Sequence, residues 1–210
     1  MLANVMMDYL IDWNLGQKVS VLTVDNCSTN NAMISIILDW LSSDSLLLNG
    51  DMFHMRCSAH ILNLIVKHGL DVINDSIERI QSSVSYWTAS PKREERFFET
   101  FRQLNIQITK KLVLDCKTGW NSTYLMIKSA LIYKTVFPSL RQRDVQYKRV
   151  PTEEDWVLAK EISDMLEVFY LATLQFSGTK YPTADTYLPN VCNIRCVISQ
   201  WSTSPIEEIR

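Results

Sequence analysis

Val19-Ser20-Val21-Leu22-Thr23-Val24-Asp25, followed by Asn26-Cys27-Ser28-Thr29-Asn30-Asn31, is the stretch whose reading decides the fold class. The apolar run over 19–25 predicts a strand of the kind buried in a parallel sheet. Ser28, Thr29 and Asn30 are good N-cap residues. The helix they open is expected over 31–43, with Ile34, Ile37, Leu38 and Leu41 as its buried stripe. Strand, carboxylate, helix is the order in which an α/β fold presents a metal-binding or catalytic acid, because ligands gather outside the carboxyl ends of the strands. The plain alternative for Asp25 is a turn or N-cap aspartate.

Working outward, Val5, Tyr9, Leu10 and Trp13 recur at helical spacing and predict an amphipathic helix over 2–14, with Gly16 as its C-terminal stop. Asn49-Gly50 is a turn signal, and Met52 to Cys57 reads as a second short strand. Beyond Ser58 the pattern turns helical, with 112–115 as the one further strand candidate. Ile61, Leu62, Leu64, Ile65 and Val66 mark one helix. Ile73, Ile77, Ile80, Val84 and Trp87 form a seam on a helix over 71–88. Pro91 ends that run or starts the next helix, which carries Phe97, Phe98, Phe101 and Leu104. Tyr124, Ile127 and Leu131 predict a helix that stops near Pro138. Trp156, Ala159, Ile162, Leu166, Phe169 and Phe176 trace a long helix over 153–176, capped by Thr152 and closed by Gly178 and Pro182. The expected class is mixed and predominantly α: two parallel strands with helices, then an all-helical block.

Composition narrows the function classes. The 210 residues are 47% hydrophobic and 21% charged, which describes a globular chain. No apolar run reaches the ~18 residues of a membrane span, and the N-terminal residues lack a basic segment of signal-peptide type. No small-molecule site is signalled. Five cysteines without paired spacing point to free thiols. The net charge of −2 argues against a chain that grips duplex DNA over a broad face, since that affinity comes from Lys and Arg neutralising phosphates. DNA contact would fall to local patches: Lys92, Arg93 and Arg96; Lys110, Lys111 and Lys117; or Arg141, Arg143, Lys148 and Arg149. The plain alternative is that these are solvated helix faces and loops.

In this order and spacing, several short motifs carry a resemblance. They are Thr23-Val24-Asp25-Asn26 with Asn30-Asn31; Arg56-Cys57-Ser58-Ala59-His60-Ile61-Leu62-Asn63-Leu64; Ser90-Pro91-Lys92-Arg93; Trp120-Asn121-Ser122-Thr123-Tyr124; and Phe176-Ser177-Gly178-Thr179-Lys180-Tyr181-Pro182-Thr183. The chain resembles the hAT superfamily of DNA transposases, in particular the plant Sleeper-type (RICESLEEPER-like) BED zinc finger proteins. The resemblance implies a ribonuclease-H-like core interrupted by a helical insertion. It places a partial core over 1–66, the helical insertion domain over 67–180 and the start of a further helical segment over 181–210.

The resemblance also implies roles for residues. Active members hold two Mg²⁺ ions with three carboxylates, and two metals clamp the attacking and leaving oxygens of a phosphoryl displacement. Asp25 matches the second of those acids and would be a remnant metal ligand. Cys57 and His60 match a Cys-x-x-His motif, in which the His lies near the reactive centre; the alternative for His60 is a satisfied histidine at a helix start. Zinc is a poor reading, because no second ligand pair accompanies Cys57 and His60. Trp120 matches a tryptophan that stacks on a DNA base, against the alternative of a core Trp at a helix start. Lys92 and Arg93 would be DNA contacts. Gly119 departs from the Arg usual before that Trp, which removes a phosphate or carboxylate clamp.

The family's first catalytic Asp and final Glu are expected to lie outside these residues. The resulting expectation is a fragment of a transposase or of a domesticated, nuclear DNA-binding derivative, catalytically incomplete and without a cofactor of its own, Mg²⁺ belonging to intact relatives. The competing expectation is a helical interaction module. Its surfaces around Trp87, Trp156 and Trp201 would bind a transposase-like partner.

Overall fold

The computed structural model describes residues 2–42, 46–104, 110–116, 119–178, 180, 183–207 and 210, with backbone alone at 74–76. Lys117, Thr179, Tyr181 and Pro182, named in the motifs and patches above, lie outside the described residues. The chain divides within a helix after Ile61, into a unit of residues 1–61 and a unit of residues 62–210.

In the first unit, helix α1 (Leu2–Asp12) precedes strand β1 (Leu22–Val24), helix α2 (Ser28–Trp40) and strand β2 (His54–Arg56). The strands pair in parallel with Leu22 opposite His54 and Val24 opposite Arg56. Leu22 N–H donates to Phe53 O at 2.7 Å and Cys57 N–H to Val24 O at 2.9 Å, extending the ladder at both ends. The order strand, helix, parallel strand is the one expected. Ala3, Leu10, Met33, Ile34, Ile37, Leu41 and Phe53 form its core.

Three readings in this unit are corrected. Val5, Tyr9 and Trp13 do not face the core; they are 49%, 59% and 75% exposed, and Ala3 and Leu10 carry the buried face of α1. Gly16 does not stop α1. Asn14 does so at φ 49°. Leu15 N–H donates to Leu10 O at 2.8 Å and Asn14 N–H to Ile11 O at 2.9 Å, the paired bonds of a Schellman stop. Helix α2 begins at Ser28, with Cys27 rather than Ser28, Thr29 or Asn30 in the N-cap position. The Asn49-Gly50 turn is present, with φ 56° at Asn49 and 95° at Gly50. The positive φ at Gly50 favours glycine, and a Cβ there would also crowd Leu38 Cδ2 at 3.1 Å.

Helix α3 (Ser58–Val72) spans the division. The second unit continues with α4 (Asn74–Thr88), α5 (Pro91–Gln103), α6 (Trp120–Ile132), α7 (Val136–Arg143), α8 (Glu153–Phe176) and α9 (Ala184–Trp201). The seam read on α4 is buried: Ile77, Ile80, Val84 and Trp87 all lie in the helical core. There they meet Tyr124, Ile127 and Ala130 of α6 and Trp156, Ile162 and Leu166 of α8. Tyr147 packs edge-on against Trp87 with ring centroids 5.3 Å apart. Its buried hydroxyl donates to Ser83 Oγ at 2.8 Å. Ser83 in turn donates to Arg149 O at 2.8 Å, which ties the segment between α7 and α8 to α4.

Caps follow the sequence closely. Ser90 accepts from Arg93 N–H at the start of α5, with Pro91 in the first turn. Thr152 and Asp155 form a reciprocal capping box on α8.

Four readings in the second unit are corrected. Pro138 does not end a helix: α6 stops at Ile132, and Pro138 is the third residue of α7, where its missing N–H costs no helical bond. Residues 112–115 pair with no strand among the described residues; Val113 N–H is instead taken by Ser129 Oγ at 3.0 Å. Trp87 and Trp156 are not partner-facing surfaces, being 0% and 3% exposed. The seam residue Ile73 packs against the helical core as expected, but from the N-cap position just before α4 rather than from inside a helix that starts at 71.

Candidate functional site

Asp25 sits immediately beyond β1 and just before α2. Its Oδ1 accepts the Cys27 N–H at 3.2 Å and Asn30 Nδ2 at 2.6 Å. The second bond comes from the first turn of α2, so the carboxylate is fixed against the helix start. Hydrogen bonds from the Cys27 thiol and main chain hold the Asp25 carboxyl below the ordinary range, and Asn30 and the charge of nearby His60 act in the same direction.

The parallel pairing places Cys57 beside this rim. Its carbonyl accepts the first helical bond of α3 from Ile61 N–H at 3.1 Å, so Cys57 occupies the N-cap position and His60 the first turn. Both are half-buried. The structure therefore gathers Asp25, Cys57 and His60, which the sequence had separated by more than thirty positions. It also shows what sequence reading missed: Asn30 is the residue that orients Asp25, and the Asn30-Asn31 pair was its only signal.

A hard divalent cation prefers several oxygen ligands. The Asp25 carboxylate is one such ligand, and Asn26 Oδ1 is buried without a protein partner. Among the described residues, however, no three His, Cys, Asp or Glu side chains converge as a metal set. These residues do not by themselves make up a two-metal centre.

In the second unit the sequence candidates fall in two places. Trp120 opens α6 and is 3% exposed, a member of the helical core. One side of it borders a cleft of about 340 Å³ that also includes Lys67, Asp71, Asp115 and Gly119. Asp115 anchors this cleft. It accepts Gln81 Nε2 at 3.0 Å, Ser122 Oγ at 2.6 Å and Thr123 Oγ1 at 3.0 Å. Gly119 adopts an extended φ of −166°, and a Cβ there would meet only Asn63 Oδ1, at 3.9 Å.

Lys92 and Arg93 lie in the first turn of α5, beside a second cleft of about 420 Å³ with Ser90, Arg96, Asp144 and Gln146. Arg93 is stacked over the Tyr86 ring at 3.9 Å. Asp144 accepts the Tyr86 hydroxyl at 3.0 Å and the Gln146 N–H at 2.9 Å, and Arg96 approaches it to 3.6 Å. Burial works to raise the Asp144 carboxyl, but these hydrogen bonds and the two arginines together hold it below the ordinary range. Other basic residues from the sequence reading are drawn into the fold. Arg143 bonds Thr100 and Gln103, Arg141 bonds Val145 O, and Arg149 pairs with Glu78. Lys92, Arg93 and Arg96 together border the α5 cleft.

Residues 55–165 match the family model of the ZBED1 RNase-like helical domain. The chain belongs to that family. Its α3–α8 block is the RNase-like helical domain in that match, with the α8 C-terminal part and α9 following it. The chain is 36% identical over 196 residues to a Zea mays protein named for the AC transposase, covering 91% of this chain and 24% of the relative. It is 35% identical over 192 residues to zinc finger BED domain-containing protein RICESLEEPER 2 of Oryza sativa, covering 90% and 27%. Against DAYSLEEPER of Arabidopsis thaliana it is 30% identical over 189 residues, covering 90% and 27%. The chain therefore spans about a quarter of the length of the curated relatives it matches. The resemblance to hAT transposases and their Sleeper-type BED zinc finger members, read from motif order, is borne out by these matches, as is a transposon-derived origin.

Proposed function

We propose that this chain is the strand-end and helical-domain portion of a nuclear, transposase-derived DNA-binding protein, and that alone it does not cut DNA. The observation that carries this reading is the rim itself. One carboxylate, Asp25, stands at the end of a parallel strand with Cys57 and His60 beside it, and among the described residues no three His, Cys, Asp or Glu side chains converge as a metal set. A two-metal phosphoryl displacement needs several hard oxygen ligands around each ion. Asp25 would be one ligand of such a centre in an intact relative, with Mg²⁺ as the metal. His60 would stand near the scissile phosphate. DNA contact falls to Lys92 and Arg93, which border an open cleft on α5. Trp120 would take part in DNA handling only through the side that borders its cleft, since its ring is otherwise in the core.

The test is a DNA-binding titration across about 50 to 200 mM salt, paired with a Mg²⁺-dependent cleavage assay. The expected result is weak binding that falls with salt, and no strand cleavage. Cleavage that Asp25→Ala abolishes would overturn the inactive reading. Absence of binding even at the lowest salt would overturn the DNA reading.

A further inference from the structure

We infer that Asp144 acts as a built-in anion at the α5–α7 cleft, occupying the place of a DNA backbone phosphate and limiting how tightly that phosphate is held. The inference rests on the DNA-contact reading above and assigns two further things: the ligand, one phosphodiester, and the residue that opposes it.

The cleft brings three cations, Lys92, Arg93 and Arg96, around one carboxylate. Asp144 holds its place chiefly through neutral donors, the Tyr86 hydroxyl and the Gln146 N–H. Its approach to Arg96, at 3.6 Å, is looser than a direct charged hydrogen bond. Arg93 is positioned over the Tyr86 ring, its Cζ 3.9 Å from the ring centroid, at the border of the same cleft. Lys92 is exposed. Arg93 and Arg96 are thus preplaced beside the exposed Lys92, with Asp144 already supplying one negative charge among them. Glu94, Glu95 and Glu99 interrupt the basic row along α5. A long polyanion track along the helix is disfavoured, and the cleft suits a single phosphate contact.

The experiment is fluorescence anisotropy of the full chain with a labelled DNA duplex of arbitrary sequence, over about 50 to 200 mM salt. Asp144→Asn should tighten binding by about two- to fivefold, the scale of one exposed charge contact. Lys92→Gln should weaken binding by a similar factor and make the slope of log K against log salt shallower by about 0.9. Lys92→Glu, at an exposed position, should weaken it further, and keeps the test decisive if Asp144→Asn unfolds. If the wild type binds the duplex while Asp144→Asn and both Lys92 variants bind equally well, the cleft assignment is overturned and the broader DNA reading stands. If the wild type itself does not bind, both fall. A phosphoserine peptide bound more tightly than the duplex would overturn the choice of nucleic acid as ligand.

Discussion

Arg79 on α4 and Asp155 in the first turn of α8 lie 76 positions apart in the chain and meet through both guanidinium and carboxylate edges, with Arg79 Nε donating to Asp155 Oδ2 at 2.7 Å. The same Oδ2 accepts the Thr152 N–H at 2.8 Å. One carboxylate therefore caps α8 and fastens it to α4. Burial pushes the Asp155 carboxyl up, but the Arg79 and Thr152 bonds outweigh it and hold it below the ordinary range. A depressed folded-state value gives stability that is present above the unfolded value near 4 and lost as pH falls through the folded one. Asp155→Ala should cost about 2 kcal/mol at neutral pH, combining a lost cap with a broken pair. The figure is kept low because the Arg79 side chain is 45% exposed and can turn to water. Chemical denaturation at pH 7 and pH 3 checks this: the gap between variant and wild type should narrow at pH 3.

Tyr147 makes the opposite prediction at high pH. Burial pushes its hydroxyl up to about 12. A raised folded-state value means the contribution is intact below the unfolded value near 10 and lost as pH rises toward 12. Wild type should lose about 2–3 kcal/mol more than Tyr147→Phe between pH 9 and pH 12, at about 1.4 kcal/mol per unit. At pH 7 the variant should itself be less stable by about 1 kcal/mol, from loss of the bond to Ser83.

Trp120 separates packing from DNA handling. Trp120→Ala should destabilise the helical unit by about 3–5 kcal/mol, the range for a buried aromatic truncated to alanine. Trp120→Phe should cost less and keep the fold. Thermal melts measure the first effect, and DNA titration of the Phe variant the second. Unchanged affinity in a folded Phe variant would remove Trp120 from any DNA role.

Gly119 tests a specific departure from the family pattern. Its extended backbone and open surroundings admit a side chain, so Gly119→Arg should fold with a melting temperature within about 2 °C of wild type. The added guanidinium beside the Trp120 cleft should steepen the salt dependence of DNA binding by about one contact. A melt lowered by many degrees would show that glycine is structurally required at the α6 start.

The parts legible in the sequence were those where one physical signal acted alone. The α4 seam of Ile77, Ile80, Val84 and Trp87 follows from periodicity, because a buried helix face has no other way to be written. The α8 start follows from Thr152 and Asp155, whose capping geometry is local. The α1 face was misread because apolar residues cover more than one side of that helix, and periodicity names a stripe without saying which stripe meets a neighbour. Pro138 misled because the same residue that breaks a helix interior is neutral in a first turn. The run 112–115 was apolar enough for a strand, yet a strand needs a partner, and Ser129 offered its N–H a different one. At the rim, Asp25 was found by pattern and Asn30's grip on it was not. At the α5 cleft, the arginines were visible as charge, while Asp144 and Tyr86 become relevant only once α4, α5 and the end of α7 are packed together.

The parallel pairing of β1 with β2 has an evolutionary corollary. Both strands deliver their ends to the same edge, so the chain between α2 and β2 can gain or lose length without disturbing that edge, at a closure cost that grows only by about 0.6 kcal/mol per doubling. An indel of one residue between Leu22 and Asp25 has no such freedom. It would turn the carboxylate to the opposite face of the sheet, because side chains alternate along a strand. Related copies should therefore differ freely in the first segment and hold an invariant count in the second.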